Sequence, residues 1–88
     1  MKIRSIKVTP RFEKSFSKLP VEIQKATIIK KKAFVRDPFA PDLKTHKLSG
    51  KLKGLWSFSV SYSYRILLEF DRDDRVLFHD IGDHRVYR

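Results

Sequence analysis

The residues best suited to chemistry stand at the end of the chain, in the stretch FHDIGDHRVYR, residues 78–88. An apolar strand runs there into two acids, two histidines, two arginines and a tyrosine. Imidazoles exchange protons near neutral pH, and a guanidinium group can hold a phosphate through two parallel hydrogen bonds. A strand that only had to end could do so in any polar tail. The concentration of these groups therefore predicts a site for proton transfer and anion binding.

The charge balance indicates a polyanionic partner. The 88 residues carry 20 Lys and Arg against 10 Asp and Glu, a formal charge of +10, with 41% apolar residues for a core. These numbers predict one folded domain, 1–88, with a basic surface. A chain this short buries only about two thirds of its unfolded surface, so a large enclosed substrate cavity is not expected.

Composition also predicts chemistry without a metal or another cofactor. The chain has no cysteine, which removes disulfides and thiolate zinc sites, and its three histidines lack the i, i+4 spacing of a helical metal pair. It has no signal-like apolar run and no segment near ~18 apolar residues. We therefore expect a cytoplasmic protein with no membrane partner.

Two helices are predicted between residues 9 and 37. Thr9 can cap free amide groups and Pro10 suits the first helical position, so the first helix begins there. Pro20 starts a second helix, which ends before Asp37-Pro38 because the residue before a proline is pushed out of the helical region. Apolar residues recur at helical spacing in both helices: Phe12, Phe16 and Leu19 in the first, and Ile23, Ala26, Ile29 and Ala33 in the second.

Four strands complete the predicted fold: IRSIKV (3–8), WSFSVSYSY (56–64), YRILLEF (64–70) and VLFHDI (76–81). In WSFSVSYSY, Trp56, Phe58, Val60 and Tyr62 alternate with serines, which puts the apolar residues on one face and the serines on the other. The turn into YRILLEF is expected somewhere in 61–63. Residues 38–55 form a lysine-rich loop, long enough to be functional and supplied with leucines that can pin it to the body. The fold class is therefore α+β, a helical hairpin packed on an antiparallel sheet in the order β-α-α-β-β-β.

Strand alternation assigns Arg65 to a particular face of the sheet. Its neighbours Tyr64 and Ile66 should pack on the helices together with Leu68 and Phe70, so Arg65 points to the opposite side. One interpretation is a solvated arginine or an ion pair with Glu69. The other is a phosphate ligand, because the lysine-rich loop and GDHRVYR can converge on the same face.

The segments HKLSGKLKGLWSFSVSYSYRILLEF and DIGDHRVY resemble the RelE/ParE superfamily of bacterial toxins from type II toxin–antitoxin modules, in particular its YafQ-like and YoeB-like mRNA interferases. The resemblance covers nearly the whole chain. It implies a ribosome-dependent endoribonuclease that cuts mRNA in the decoding site and is silenced by a cognate antitoxin. The implied partners are that antitoxin, the ribosome and mRNA, with a higher-order toxin–antitoxin complex on operator DNA as a further candidate.

The resemblance also implies roles for individual residues. The implied catalytic residues are His46 in the H-x-L-x-G loop, Arg65 on the scissile phosphate, His84 in the Gly-x-His ending, and Tyr87 as the aromatic residue beyond it. The implied RNA-binding residues are Lys47, Lys51, Lys53 and Arg85.

These residue types fit the reaction. Cutting RNA without a metal requires a base for the 2′-hydroxyl, an acid for the departing 5′-oxygen, and a cation for the extra charge on phosphorus. Two histidines and an arginine can supply all three. We favour His84 as the acid and His46 as the base, and the alternative is that either histidine only orients the nucleotide.

Two other functions remain open from the sequence. A ParE-like toxin has the same architecture but inhibits DNA gyrase by binding, and His46 and His84 argue against it. A basic RNA-binding protein without activity would explain the charge and the lysine-rich loop, but it leaves the combination of Arg65 and His84 unexplained.

Overall fold

The computed structural model describes residues 2–87. Local sequence signals determine where both helices begin. Helix α1 (Pro10–Ser17) begins where Thr9 Oγ1 accepts a hydrogen bond of 3.0 Å from the backbone N–H of Phe12. Helix α2 (Val21–Arg36) follows Pro20 and ends before Asp37-Pro38. The predicted helical hairpin is therefore confirmed. The single domain 1–88 stays a prediction, and its terminal residues Met1 and Arg88 lie outside the described part of the chain.

The buried face of α2 differs from the predicted stripe. Ile29 is 65% exposed, whereas Phe34 is fully buried and Thr27 is 4% exposed. Ile23, Thr27 and Phe34 follow one another at spacings of four and seven residues, which keeps them on one side of the helix. Ile29 falls off that line, so its assignment to the stripe was wrong, while Ile23, Ala26 and Ala33 do pack against the core.

Five strands form one sheet in the order β1-β5-β4-β3-β2. Their bounds are Ser5–Val8 (β1), His46–Lys47 (β2), Trp56–Ser59 (β3), Arg65–Phe70 (β4) and Arg75–Gly82 (β5). The β2–β3, β3–β4 and β4–β5 pairs are antiparallel, and β1 runs parallel to β5. The α+β fold with helices on a mostly antiparallel sheet is thus confirmed. The two-residue strand β2 inside the lysine-rich loop and the parallel pair were not foreseen.

Aromatic rings fill the space between the helices and the sheet. Phe34 stacks on Phe58 with 4.5 Å between ring centroids and meets the edge of Phe78 at 5.9 Å. From β4, Ile66 and Leu68 enter the same core and are both fully buried, as the alternation predicts. Arg65 therefore belongs to the opposite face of the sheet.

That opposite face is partly covered. Leu67 is only 7% exposed and lines one pocket with Leu52, Leu55 and Val86. In the lysine-rich loop, Leu43 is fully buried in the core, and the Leu48 N–H donates to the Leu55 carbonyl at 2.9 Å. The predicted pinning of the loop by its leucines is therefore seen in the structure.

The alternation predicted for WSFSVSYSY ends early. Strand β3 stops at Ser59, and the chain turns where the Val60 N–H donates to the Tyr64 carbonyl at 2.9 Å. Tyr62 is 99% exposed at the tip of this turn. Its predicted place on the face of Trp56 and Phe58 was wrong, because the chain leaves the sheet before reaching it.

Candidate functional site

The face of the sheet opposite the helices is here called the site face, and strand pairing shows which residues lie on it. His46 pairs with Ser57, and Ser57 pairs with Leu67. Residues paired on adjacent strands point to the same side of a sheet, so His46 shares a face with Leu67 and hence with Arg65 two positions earlier. From ordinary strand spacings the Cα atoms of His46 and Arg65 are roughly 12 Å apart. That separation lets both side chains reach one phosphodiester group between them.

The backbone fixes which nitrogen of His46 is available. Nδ1 lies 2.8 Å from the carbonyl oxygen of Lys44, and a carbonyl can only accept, so Nδ1 carries the proton. Lys44 has a positive φ of 53°, which turns its carbonyl back toward the ring. In the neutral ring Nε2 is then the lone-pair nitrogen. His46 is exposed, and the free nitrogen can act as a proton acceptor.

Arg65 is half-buried, and Ser59, its partner in the β3–β4 register, holds it. Its Nη1 donates to Ser59 Oγ at 2.6 Å. The alternative ion pair with Glu69 is not formed, because Glu69 Oε1 instead accepts from His79 Nε2 at 2.9 Å. Arg65 lines an open cleft of about 590 Å³ together with Lys44 and other residues.

The last strand carries His84 toward Arg65 without placing both in one pocket. Gly82 pairs directly with Arg65, and a 3₁₀ turn, His84–Tyr87, begins two residues later. His84 is exposed in this turn and does not line the cleft of Arg65. His84 therefore follows the strand partner of Arg65 by two residues and lies in the turn beyond the end of β5.

Tyr87, the last residue of this turn, contacts a strand residue of the site face. Its hydroxyl shares a hydrogen bond of 2.8 Å with Ser57 Oγ. Ser57 is fully buried and is the strand partner of His46. The hydroxyl of Tyr87 is therefore anchored next to the strand position of His46. Ser57 and Ser59 were missed as site residues, although the serine alternation in WSFSVSYSY is the signal that marks them.

Arg85 forms an ion pair with Asp83, the residue just before the turn. Its Nε and Nη2 donate to the two carboxylate oxygens of Asp83 at 2.9 and 2.8 Å. These hydrogen bonds lower the pKa of Asp83 from 3.8 to about 2, and the same pairing raises the pKa of Arg85. Arg85 lines a different groove, with Tyr64 and Lys18. Its charge is compensated, and the structure does not bring it onto the site face.

The predicted RNA-binding lysines divide between two surfaces. Lys47 pairs with Trp56 and holds its ammonium 5.5 Å from the centre of that ring, on the side of the sheet away from His46. Lys51 and Lys53 are exposed and flank Leu52, which covers part of the site face. Only the latter two lysines stand at its rim.

The described residues form neither a metal-binding group nor a membrane-spanning helix. Within residues 2–87 no group of three His, Cys, Asp or Glu is arranged to hold a metal ion. Neither helix of that part of the chain is long and apolar enough to cross a membrane.

The fold of the chain is found in known proteins. A YoeB/ParE toxin from Agrobacterium tumefaciens superposes with a TM-score of 0.77 at 16% identity, over 92% of this chain and 99% of that one. The RelBE2 toxin–antitoxin complex from Mycobacterium tuberculosis gives 0.76 at 21% identity, over 91% and 96%. YafQ from Escherichia coli strain BL21(DE3) gives 0.71 at 17% identity, over 96% and 97%.

The chain is an α+β protein with the fold of the RelE/ParE superfamily toxins. Within that class, its structural neighbours carry the names RelE, YoeB and YafQ. The chain matches no protein-family model and no curated protein sequence. The fold implied by the resemblance read from the sequence is therefore confirmed.

Proposed function

We propose that the protein is the toxin of a type II toxin–antitoxin module and a ribosome-dependent endonuclease that cuts mRNA in the A site. The observation that carries this proposal is the composition of the site face. His46 and Arg65 lie on it, Tyr87 is anchored to it through Ser57, and His84 follows the strand partner of Arg65. A base, a cation and an acid around one phosphodiester suit 2′-hydroxyl attack.

The reaction follows from these positions. His46 Nε2 takes the proton of the 2′-hydroxyl, and the 2′-oxygen then attacks the neighbouring phosphorus. Arg65 stabilises the added negative charge, because a guanidinium matches two phosphate oxygens. Protonated His84 gives its proton to the 5′-oxygen as the P–O bond breaks, which leaves a 2′,3′-cyclic phosphate and a 5′-hydroxyl. Tyr87 supplies a fixed hydroxyl beside His46 that orients the nucleotide.

The basic surface suits RNA and a masking partner. Lys51 and Lys53 at the rim would add salt-dependent affinity for phosphates, and neither they nor Lys47 would select a sequence. Arg85 would contribute only when Asp83 releases it. Both partners, the ribosome with its mRNA and the antitoxin, place the protein in the cytoplasm.

An acidic amphipathic segment of the antitoxin fits a groove on helix α2. The groove has an apolar floor of Ile28 and Val35 and a rim of four cations, Lys2, Lys31, Lys32 and Arg36. Ile28 is 51% exposed, which leaves an apolar side chain available for a partner. The Mycobacterium tuberculosis neighbour is itself a toxin–antitoxin complex, which supports a partner of this kind. A larger toxin–antitoxin complex on operator DNA would build on the same contact.

Primer extension tests the nuclease directly. An mRNA is incubated with purified ribosomes and the protein, and new 5′ ends are mapped against the A-site codon. The proposal expects cuts at the A site that require ribosomes. Uncut mRNA together with inhibition of DNA gyrase supercoiling would establish the ParE-like alternative. RNA binding without either effect would establish a passive binder.

A further inference from the structure

The cleft lined by Arg65 lies beside the site face, at the turn between β3 and β4. It measures about 590 Å³, within the range of about 300–1,000 Å³ that is usual for small-molecule sites. Three cations and one acid line the cleft: Lys30, Lys44, Arg65 and Asp42. The rest of its wall is the turn Ser59, Val60, Ser61 and Tyr62. His46, His84 and Tyr87 are not among its lining residues.

The charges of the cleft are only partly compensated. Lys30 is 30% exposed at its side chain, and its Nζ lies 3.2 Å from Asp42 Oδ2. Lys44 is exposed, and Arg65 bonds to the neutral Ser59 hydroxyl. One of the three cations thus has an acid partner in the cleft. The remaining positive charge suits an anion.

Tyr62 gives the cleft an aromatic wall that the fold does not use. Its side chain is 99% exposed in a turn where Gly, Asn or Pro would be usual. An aromatic ring contributes to stability by burial, and this ring has almost none. Exposed rings beside cations are the elements with which proteins hold single-stranded nucleic acid, because any base can stack on such a ring.

We propose that this cleft is a subsite for a nucleotide next to the scissile phosphate, with its base stacked on Tyr62 and its phosphate held by Lys44 and Arg65. The inference rests on the proposed function, since it takes the bound strand to be mRNA. Arg65 borders both the cleft and the site face. It therefore joins two consecutive phosphates of one strand.

Lys44 connects this subsite with the proposed base. Its side chain lines the cleft, while its carbonyl accepts the Nδ1–H of His46 at 2.8 Å. Lys44 already has a left-handed backbone, with a φ of 53°, in the structure without a ligand. A phosphate bound by its side chain would therefore contact the same residue whose carbonyl orients the ring of His46.

Fluorescence anisotropy with a fluorescein-labelled single-stranded pentaribonucleotide, at low salt, tests the subsite without ribosomes. Tyr62→Ala should weaken binding by about 5- to 150-fold, the range measured for loss of one base–aromatic stack. Tyr62→Phe keeps the ring and should stay within about twofold. Because the ring is exposed, neither change should alter the melting temperature.

Lysine variants separate the cleft from general surface charge. Lys44→Gln should weaken binding and reduce the salt dependence by about one phosphate contact. Lys25→Gln removes the same charge from an exposed position on α2 that lines none of the described clefts, and it should change binding less. If Tyr62→Ala and Lys44→Gln bind RNA as well as Lys25→Gln does, the subsite is overturned.

Cleavage with ribosomes provides an independent second readout. Tyr62→Ala should raise the KM for programmed ribosomes more than it lowers kcat, whereas Tyr62→Phe should leave both values near those of the unchanged protein. If the unchanged protein cuts no mRNA, the proposed function fails, but the anisotropy series still reports on the cleft. If cleavage proceeds and Tyr62→Ala alters neither binding nor KM, the subsite alone is wrong.

Discussion

His84→Ala gives the sharpest test of the proposed chemistry, because its expected effects on rate and on stability are far apart. His84 is exposed in the turn His84–Tyr87 and follows Gly82, the strand partner of Arg65. No core group is removed, so the free energy of unfolding should change by less than about 0.5 kcal/mol. Loss of a general acid should lower the cleavage rate about 10²- to 10⁴-fold, or raise the barrier by about 2.7–5.4 kcal/mol.

Single-turnover cleavage on programmed ribosomes, read by primer extension, measures this rate without a contribution from product release. His79→Ala is the matched control, since it removes the other imidazole of the C-terminal stretch, from within β5. His79 is half-buried and pairs with Glu69 at 2.9 Å, so its loss should leave the cleavage rate nearly unchanged. Thermal melts of both variants show whether either change has disturbed the fold.

One result would refute the reasoning about the C-terminal turn. If His84→Ala cuts at the rate of the unchanged protein and melts at the same temperature, His84 does not donate the proton. A comparable loss of rate in both histidine variants would likewise point to disturbed packing of β5. Only a large effect at His84 with none at His79 supports the assigned acid.

Three further predictions concern charge, packing and titration. Arg65→Ala should lower the single-turnover rate about 10²- to 10³-fold while ribosome binding, measured by filtration, changes far less; equal losses in both would make Arg65 a binding residue only. Phe34→Ala removes a fully buried ring stacked on Phe58, so it should cost about 3–5 kcal/mol and lower the melting temperature by at least about 12 °C; a drop under about 4 °C would contradict the described core. The Asp83 carboxyl should titrate near pH 2 by NMR, because Arg85 stabilises its charged form. Since the folded pKa lies below the ordinary value of 3.8, the ion pair contributes fully above pH 3.8 and is lost as the pH falls toward 2. A midpoint near 3.8 would mean that the pair is absent in solution.

The helices were predictable because residues next to their first turns determine where they begin. Thr9-Pro10, Pro20 and Asp37-Pro38 each act on the backbone within one turn: both helices begin at such a signal, and α2 also ends at one. Helix α1 ends at Ser17, so the predicted membership of Leu19 was wrong. The face of α2 was less predictable. Ile29 has the right residue type for a core, but only the position of the sheet decides which side of the helix is covered, and this is a tertiary property.

The site was predictable in its residue types and not in its assembly. Alternation along one strand was enough to predict that Arg65 points away from the helices. The pairing of His46 with Ser57 joins residues from a loop and a strand, and the bond of Ser57 to Tyr87 spans 30 positions. Contacts of this kind depend on strand register, which no short window of sequence contains.

A single irregularity in β5 decides which side chains meet Arg65. The β4–β5 register shifts between Leu67 and Leu68, so that His79 is left without a partner. In an unshifted ladder Asp80 would face Ile66 in the core and Ile81 would face Arg65. With the shift, Ile81 is 3% exposed in the core, and Gly82, which has no side chain, is the strand partner of Arg65. Asp80 instead binds helix α1, accepting from Ser15 Oγ at 2.6 Å and pairing with Arg11 Nε at 3.0 Å. The bulge therefore leaves the position paired with Arg65 without a side chain, and the turn that contains His84 begins two residues later.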